Sequence, residues 1–152
     1  MRFLCDEMLK GLGRWLRAAG HDTAIVDDGI ADRTLIQIAR TEDRLLLTCD
    51  RELAARPELE GRVLAVRPEG LDAAALELRA RLGLEWLYAP FTRCLRDNAV
   101  LRSAEPRDLE RIPPPARAGA GPFMVCPACA RVYWPGSHVQ RMRRRLERWQ
   151  AG

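Results

Sequence analysis

The sequence predicts an α/β fold, with a parallel sheet flanked by helices, followed by a small C-terminal module. Short apolar runs alternate with helical segments through residues 1–83, and the connections are short. Strict alternation of this kind is typical of βα units, which place their strands in a parallel sheet. From residue 84 onwards the chain becomes rich in Pro and Arg and contains three of the five cysteines. We therefore expect two regions, residues 1–83 and residues 84–152.

The predicted strands are apolar runs that stop abruptly at polar residues. The first run, residues 3–5, ends at the adjacent acids Asp6 and Glu7, which indicates a buried strand. Three further runs have the same form, at residues 23–26, 45–48 and 63–66.

Helical periodicity fills the intervening segments. Apolar residues recur three or four positions apart over residues 8–20 and again over residues 71–82. Asp32 is a suitable N-cap for a helix that ends near Thr41, and a short helix is expected after Asp50.

The predicted C-terminal module has little regular structure before its last helix. Residues 85–92 are compatible with one more strand, and residues 103–122 have the composition of a linker. A helix is expected over residues 137–149.

Composition narrows the class of protein. No apolar run of the 152-residue chain approaches the ~18 residues of a membrane span, and no secretory signal is visible. We therefore expect a cytoplasmic protein whose cysteines are free thiols or metal ligands. Residues 84–152 carry 12 Arg against 6 acids, whereas residues 1–83 carry 13 basic and 15 acidic residues. This asymmetry favours an anionic partner, although an Arg-rich genome would give the same preference for Arg over Lys.

Carboxylates follow the predicted carboxyl ends of the strands. Asp6 and Asp50 come just after two of them, and Asp32 opens the helix that follows the second strand. In an open parallel sheet these positions share one edge, at which ligands bind. Crowded carboxylates favour a hard cation such as Mg²⁺ or Mn²⁺, which promotes phosphodiester hydrolysis. The alternative for each acid is an ordinary helix cap. Thr48 is expected on the same side as Asp50, where it could hold a carboxylate or a water.

Four motifs resemble one known family. They are Phe-Leu-Cys-Asp-Glu-Met-Leu (residues 3–9), Gly-Arg-Trp-Leu-Arg-x-x-Gly-His-Asp (13–22), Leu-Leu-Leu-Thr-Cys-Asp-Arg-Glu-Leu (45–53) and Phe-x-x-Cys-Pro-x-Cys-x-Arg-Val-Tyr-Trp-x-Gly-Ser-His (123–138). Together they are similar to PIN-like ribonucleases, and more closely to the Mut-seven C-terminal RNase domain family. The resemblance implies a PIN-type nuclease domain over residues 1–83 and a C-terminal zinc ribbon.

The resemblance also implies roles for individual acids. It places Asp6, Asp32 and Asp50 at the family's catalytic, metal-binding positions. Supporting roles with weaker matches fall to three other acids: Glu7, Asp28 and Glu42.

The cysteines of the C-terminal module depart from the family pattern. Cys126 and Cys129 form one Cys-x-x-Cys half-site, and a structural zinc usually needs two such halves. The family's second half is Cys94-x-x-Cys, but position 97 is Asp. Asp97 could supply an oxygen ligand, His138 could supply the fourth ligand instead, or the site could bind no metal.

The predicted last helix carries a stripe of arginines on one face, at the spacing i, i+3, i+4 and i+7. They are Arg141, Arg144, Arg145 and Arg148. Tyr133, Trp134 and Trp149 lie near them in sequence, and arginines with aromatic residues suit single-stranded nucleic acid. The alternative is a solvated helix face with Trp149 packed inside.

These features predict an Mg²⁺- or Mn²⁺-dependent endoribonuclease that acts on single-stranded or structured RNA. A second hypothesis is that the chain is a catalytically inactive nucleic-acid-binding protein that uses the ribbon and the basic tail. A third reading, a phospho-receiver domain, requires a lysine after a late strand. The only lysine, Lys10, lies in the first predicted helix, which argues against a receiver.

Overall fold

A four-stranded parallel sheet forms the centre of the computed structural model, which describes residues 1–67 and 69–152. Its strands are β1 (Arg2–Cys5), β2 (Asp22–Ile25), β3 (Leu45–Thr48) and β4 (Val63–Ala65), in the order β2-β1-β3-β4. All three pairings are parallel, so the carboxyl ends of the strands lie along one edge. Phe3, Leu4, Leu46 and Leu47 are fully buried, as expected for strands covered on both faces. The predicted α/β fold is confirmed.

Helices cover both faces of this sheet. They are α1 (Lys10–Ala18), α2 (Asp32–Thr41), α3 (Arg51–Ala54) and α4 (Leu71–Leu82). One buried cluster joins α1 and α4 to the sheet, and a second joins α2 and α3 to its other face. Asp32 is the first residue of α2, and the N-cap position belongs to Ala31, so the expected cap is displaced by one residue.

The C-terminal region contains three short antiparallel strands and three helices. The strands are β5 (Arg102–Ser103), β6 (Met124–Val125) and β7 (Val132–Tyr133), and the helices are α5 (Pro106–Leu109), α6 (Pro114–Arg117) and α7 (Ser137–Ala151). The expected linker over residues 103–122 therefore holds two helical turns. Both begin with Pro, whose fixed φ suits the start of a helix.

Residues 85–92 form turns and not the expected strand. The N–H groups of Ala89 and Phe91 donate to the carbonyls of Ala19 and Ala18 at the end of α1, so their backbone bonds are satisfied without a sheet partner. Gly20 permits this close approach, because a Cβ there would collide with the carbonyl oxygen of Ala89.

Helix α7 packs on the same side of the sheet as α1 and α4. Leu146 and Trp149 belong to the buried cluster of those helices, together with Trp86. The division into residues 1–83 and 84–152 stays a prediction, because side chains from both ranges share this cluster. In the described part of the chain, no helix combines the length and apolar character needed to cross a bilayer.

Candidate active site and cysteine cluster

An acidic cleft of about 100 Å³ lies at the carboxyl edge of the sheet. Its carboxylates belong to Asp6, Glu7, Asp27, Asp32 and Asp50. Apolar side chains complete the lining: Met8, Val26, Ile30, Leu35 and Leu53. The structure thus brings the three predicted catalytic acids to one cleft, as the strand ends indicated.

Asp6 is the most constrained of these acids, with 6% of its surface exposed. Its Oδ1 accepts hydrogen bonds from the N–H groups of Met8 (3.0 Å) and Leu9 (3.1 Å). Its Oδ2 accepts from the Thr48 hydroxyl (2.5 Å) and the N–H of Cys49 (3.3 Å). A carboxylate offers about four acceptor positions, so protein donors fill all those of Asp6.

The carboxylates of Asp50 and Asp32 accept fewer hydrogen bonds than that of Asp6. Asp50 caps α3, because its Oδ1 accepts from the N–H groups of Glu52 (2.8 Å) and Leu53 (3.0 Å). Within residues 1–67 and 69–152, the Oδ2 of Asp50 and both carboxylate oxygens of the exposed Asp32 have no hydrogen bond or ion pair. These oxygens are therefore available to a ligand.

The residues predicted to support the catalytic acids differ in their position relative to the cleft. Thr48 is fully buried and bonded to Asp6. The carboxylate of Glu7 accepts from the N–H of Gly29 (2.6 Å), which fastens the loop before α2 to the cleft. Asp28 points to solvent and pairs with Lys10 (2.7 Å), outside the cleft lining. Asp27, the residue that directly follows the second predicted strand, lines the cleft in its place.

Glu42 lies at the opposite edge of the sheet, contrary to the expectation that it supports the cleft. It follows α2 and precedes β3, so it sits at the amino ends of the strands. Its carboxylate pairs with Arg44 (2.7 Å) and Arg2 (3.9 Å). Glu42 therefore belongs to an ion-pair network at the other edge.

A second candidate metal site is formed by Cys94, Asp97, Cys126 and Cys129, the cysteine cluster. Their ligand atoms all lie within 4.8 Å of one another, and within the described ranges no other group of three or more such residues is as compact. The Asp97 carboxylate lies 3.6 Å from the sulfur of Cys94 and 3.5 Å from that of Cys126. His138 is not part of the group, so geometry favours Asp97 as the fourth member. Three thiolates and a carboxylate form a donor set that suits zinc.

Two tight turns shape the cysteine cluster. The N–H of Asp97 points at the sulfur of Cys94 (3.4 Å), and that of Cys129 points at the sulfur of Cys126 (3.5 Å). The Tyr133 hydroxyl lies 3.1 Å from the sulfur of Cys94, a contact that the sequence did not reveal.

These contacts affect the thiols differently. Burial would raise the pKa of Cys94, but hydrogen bonds from the Tyr133 hydroxyl and from backbone N–H groups outweigh it, and the pKa falls below its ordinary value. The Asp97 carboxylate raises the pKa of Cys129 to about 12. A bound cation would relieve this crowding of thiols and carboxylate, which makes the cluster a credible metal site.

The four arginines of the α7 stripe differ in their exposure and in their contacts. Arg141, Arg144 and Arg148 are exposed and line one concave surface together with Arg145. Arg145 is half-buried, pairs with Asp72 (2.9 Å) and lies over two indole rings.

Two of the three aromatic residues expected to stack on nucleic acid are occupied elsewhere. Trp149 is 3% exposed, and its Nε1 donates to Asp72 (2.7 Å). Tyr133 turns toward the cysteine cluster. The stripe therefore offers cationic side chains without these two rings.

Comparison with known proteins agrees with this architecture. The family described as Mut7-C RNAse domain matches residues 1–146. The human protein named exonuclease mut-7 homolog is 43% identical over 47 residues, which are 31% of this chain. The chain spans only 5% of the length of that relative. No solved structure matches the chain. The match over residues 1–146 shows that the chain belongs to the Mut7-C RNAse domain family.

Proposed function

We propose that the protein is a metal-dependent endoribonuclease that hydrolyses single-stranded or structured RNA in the acidic cleft. Membership of the Mut7-C RNAse domain family supports a nuclease role in general. The observation that carries the finer proposal is the meeting of Asp6, Asp32 and Asp50 in one cleft at the carboxyl edge of the sheet. Ligands of open α/β sheets bind at this edge.

The donor set of the cleft fits Mg²⁺ or Mn²⁺. All its charged groups are carboxylates, which are the hard oxygen ligands that these ions prefer. Asp32 and the Oδ2 of Asp50 are open to a cation, and Asp6 would join by giving up its longest bond, from Cys49 (3.3 Å). When bound, the cation would activate a water and stabilise the charge that develops on the phosphodiester.

The protein's own residues hold this cleft in shape. Asp6 is anchored by four donors, so its orientation is fixed before any ligand arrives. Glu7 keeps the loop around Gly29 against the start of α1. The apolar side chains beside the acids, including the exposed Met8, form one wall of the cleft and offer a surface to a base or ribose.

The RNA strand would be held by the exposed arginines of α7. Arg141, Arg144 and Arg148 share one concave surface, and arginine binds phosphate through paired N–H groups. Their contribution should be electrostatic and salt-dependent. We expect the change of all three to Gln to weaken RNA binding and to flatten its dependence on salt concentration.

RNA cleavage with a defined variant tests the proposal. Asp32→Asn removes an acid that makes no hydrogen bond in the described part of the chain, so stability should be kept while Mn²⁺-dependent cleavage falls at least ~100-fold. Asp28→Asn is the matched control, because Asp28 is exposed, nearby and outside the cleft lining. Equal cleavage by Asp32→Asn and wild type would defeat the assignment.

Two observations favour a catalytically inactive nucleic-acid-binding protein as the second candidate. Protein donors fill all the acceptor positions of Asp6. Among the described residues, the cleft acids do not form a compact group of the kind that the cysteine cluster forms. Binding of RNA without turnover in Mg²⁺, Mn²⁺ or Co²⁺ would support this candidate. Turnover in any of them, abolished by Asp32→Asn, would exclude it.

A further inference from the structure

Arg17 is a buried cation that has no carboxylate partner among the residues that the structure describes. It lies in α1 and is 6% exposed. Its Nε donates to the carbonyl of Thr23 (2.8 Å), and its Nη1 donates to the carbonyls of Leu95 (3.0 Å) and Arg96 (2.6 Å). It forms no ion pair with any residue in 1–67 or 69–152. Among the described residues, the three neutral carbonyls are therefore the groups that stabilise this charge.

A buried charge of this kind needs compensation. Removal of a charged group from water is expensive unless an opposite charge stands nearby. Burial lowers the pKa of Arg17, and the neighbouring Cys5, Cys94 and Asp97 act in the opposite direction. Two of these three neighbours belong to the cysteine cluster.

The hydrogen bonds of Arg17 lead directly to the cysteine cluster. Leu95 and Arg96 are the two residues between Cys94 and Asp97, so the guanidinium grips the backbone of the turn that presents both ligands. Asn98 fastens the same turn to the sheet, because its Oδ1 accepts from the N–H of Thr23 (2.9 Å). The Nδ2 of Asn98 also donates to Asp22 (2.8 Å). The first half-site is therefore built on α1 and β2.

The net charge of the cysteine cluster with a bound metal ion would be opposite to that of Arg17. A divalent cation bound by three thiolates and one carboxylate carries two net negative charges. Arg96 and Arg131 also lie near the cluster, but both are exposed, and solvent screens their charges. A buried guanidinium is screened far less, so it is the strongest available counter-charge.

We propose that Arg17 is the buried counter-charge of the metal-loaded cysteine cluster, and that metal binding there is coupled to the docking of residues 94–98 on α1 and β2. Arg17 is a positioning residue in this scheme, because it acts on the ligands through their turn and their charge. The proposal rests on metal binding by the cluster and is independent of the nuclease function.

Metal titration of the full chain tests the counter-charge. Co²⁺ is added to the purified, metal-free protein, its thiolate absorption is followed, and Zn²⁺ competition against a chelator gives the affinity. Arg17→Gln should weaken binding about tenfold or more, as changes behind metal ligands usually do. Arg17→Lys keeps the charge and should recover most of that loss. Arg96→Gln, which removes an exposed cation from the same turn, should change affinity less than about threefold.

Three results of the titration would overturn the proposal. They are equal affinity of Arg17→Gln and wild type, no gain of Arg17→Lys over Arg17→Gln, and failure of the wild-type protein to bind Co²⁺ or Zn²⁺.

Hydrogen exchange of the wild-type chain tests the coupling without any variant, and so remains decisive if Arg17→Gln does not fold. Zn²⁺ should slow exchange in the cluster and also in residues 16–25, which contain Arg17 and β2. Protection confined to residues 94–133 would contradict the coupling.

Discussion

The Thr48 hydroxyl donates a hydrogen bond to the Oδ2 of Asp6, which ties the carboxyl end of β3 to that of β1. The same oxygen of Thr48 accepts from the N–H of Asp50 (3.0 Å). One buried hydroxyl thus positions two acids of the cleft from two strands. The acidic cleft therefore depends on an interaction between strands that are far apart in sequence.

Loss of the Thr48 hydroxyl should destabilise the fold. Thr48→Val keeps the shape of the side chain but leaves a buried oxygen of Asp6 and the N–H of Asp50 without this partner. Such unsatisfied groups cost about 1–3 kcal/mol. Urea denaturation measures the change, and Thr41→Val, at an exposed hydroxyl bonded within α2, is the control. Equal stability of the two variants would contradict the structural role of Thr48.

Arg145 and Arg144 should differ in what they contribute. Arg145 lies 5.3 Å from the ring centre of Trp15 and 5.1 Å from that of Trp149, and it pairs with Asp72. Arg145→Ala should lower the free energy of unfolding by about 1–2 kcal/mol through lost cation–π and packing contacts. Arg144→Ala should leave stability unchanged and weaken RNA binding. Thermal melts measure the effect on stability, and RNA titrations measure the effect on binding. A loss of stability in Arg144→Ala and not in Arg145→Ala would contradict these roles.

Asp22 should make stability depend on pH in the acid range. Burial would raise its pKa, but hydrogen bonds from Arg44, Asn98 and Arg2 outweigh burial and bring the pKa from 3.8 to about 2. The folded state therefore prefers the carboxylate. The contribution of the ionised Asp22 to stability is fully present above pH ~4 and is lost as pH falls through about 2. After allowance for solvent screening, this contribution is about 1 kcal/mol.

Asp22→Asn should reduce the loss of stability between pH 4 and pH 2 in urea titrations. Asp43→Asn is the control, because Asp43 is largely exposed and its pairing with Arg62 lies at the surface. A slope in Asp22→Asn as steep as that of wild type would disprove the effect.

A fourth thiolate should tighten the cysteine cluster. Asp97→Cys replaces the oxygen donor by the sulfur that the family pattern predicts, and thiolates bind Zn²⁺ more strongly than a carboxylate does. We expect the wild-type chain to purify with zinc, and the variant to lose it at higher chelator concentration. Asp97→Ala should lose zinc most readily. Metal analysis after dialysis measures the order, and the absence of zinc from all three proteins would contradict a zinc site.

Much of the fold could be predicted from the sequence because its local signals agree. Apolar runs that stop at Asp6 and near Asp50 mark strand ends, and parallel strands bring such ends to one edge. The sequence also contained a reason to exclude Glu42, because an acid that precedes β3 must lie at the opposite edge.

Other features depend on contacts distant in sequence. Helical spacing placed Arg145 on the basic stripe, but the rotation of α7 against α1 and α4 decides that it faces Trp15. Sequence spacing alone did not choose between Asp97 and His138, because the direction in which α7 leaves the cysteine cluster is a tertiary property. The carbonyls that surround Arg17 come from β2 and from a turn almost 80 residues away, so no local pattern pointed to them.

A manganese soak of a crystal tests the acidic cleft most directly. Anomalous scattering locates Mn²⁺ independently of any assay, and Asp32 and the Oδ2 of Asp50 accept no hydrogen bond from the described residues. We expect a peak within bonding distance of Asp50 and Asp32, and its absence from crystals of Asp32→Asn. Full occupancy by Mn²⁺ elsewhere with none in the cleft, in crystals of protein that cleaves RNA, would contradict the assignment of Asp6, Asp32 and Asp50.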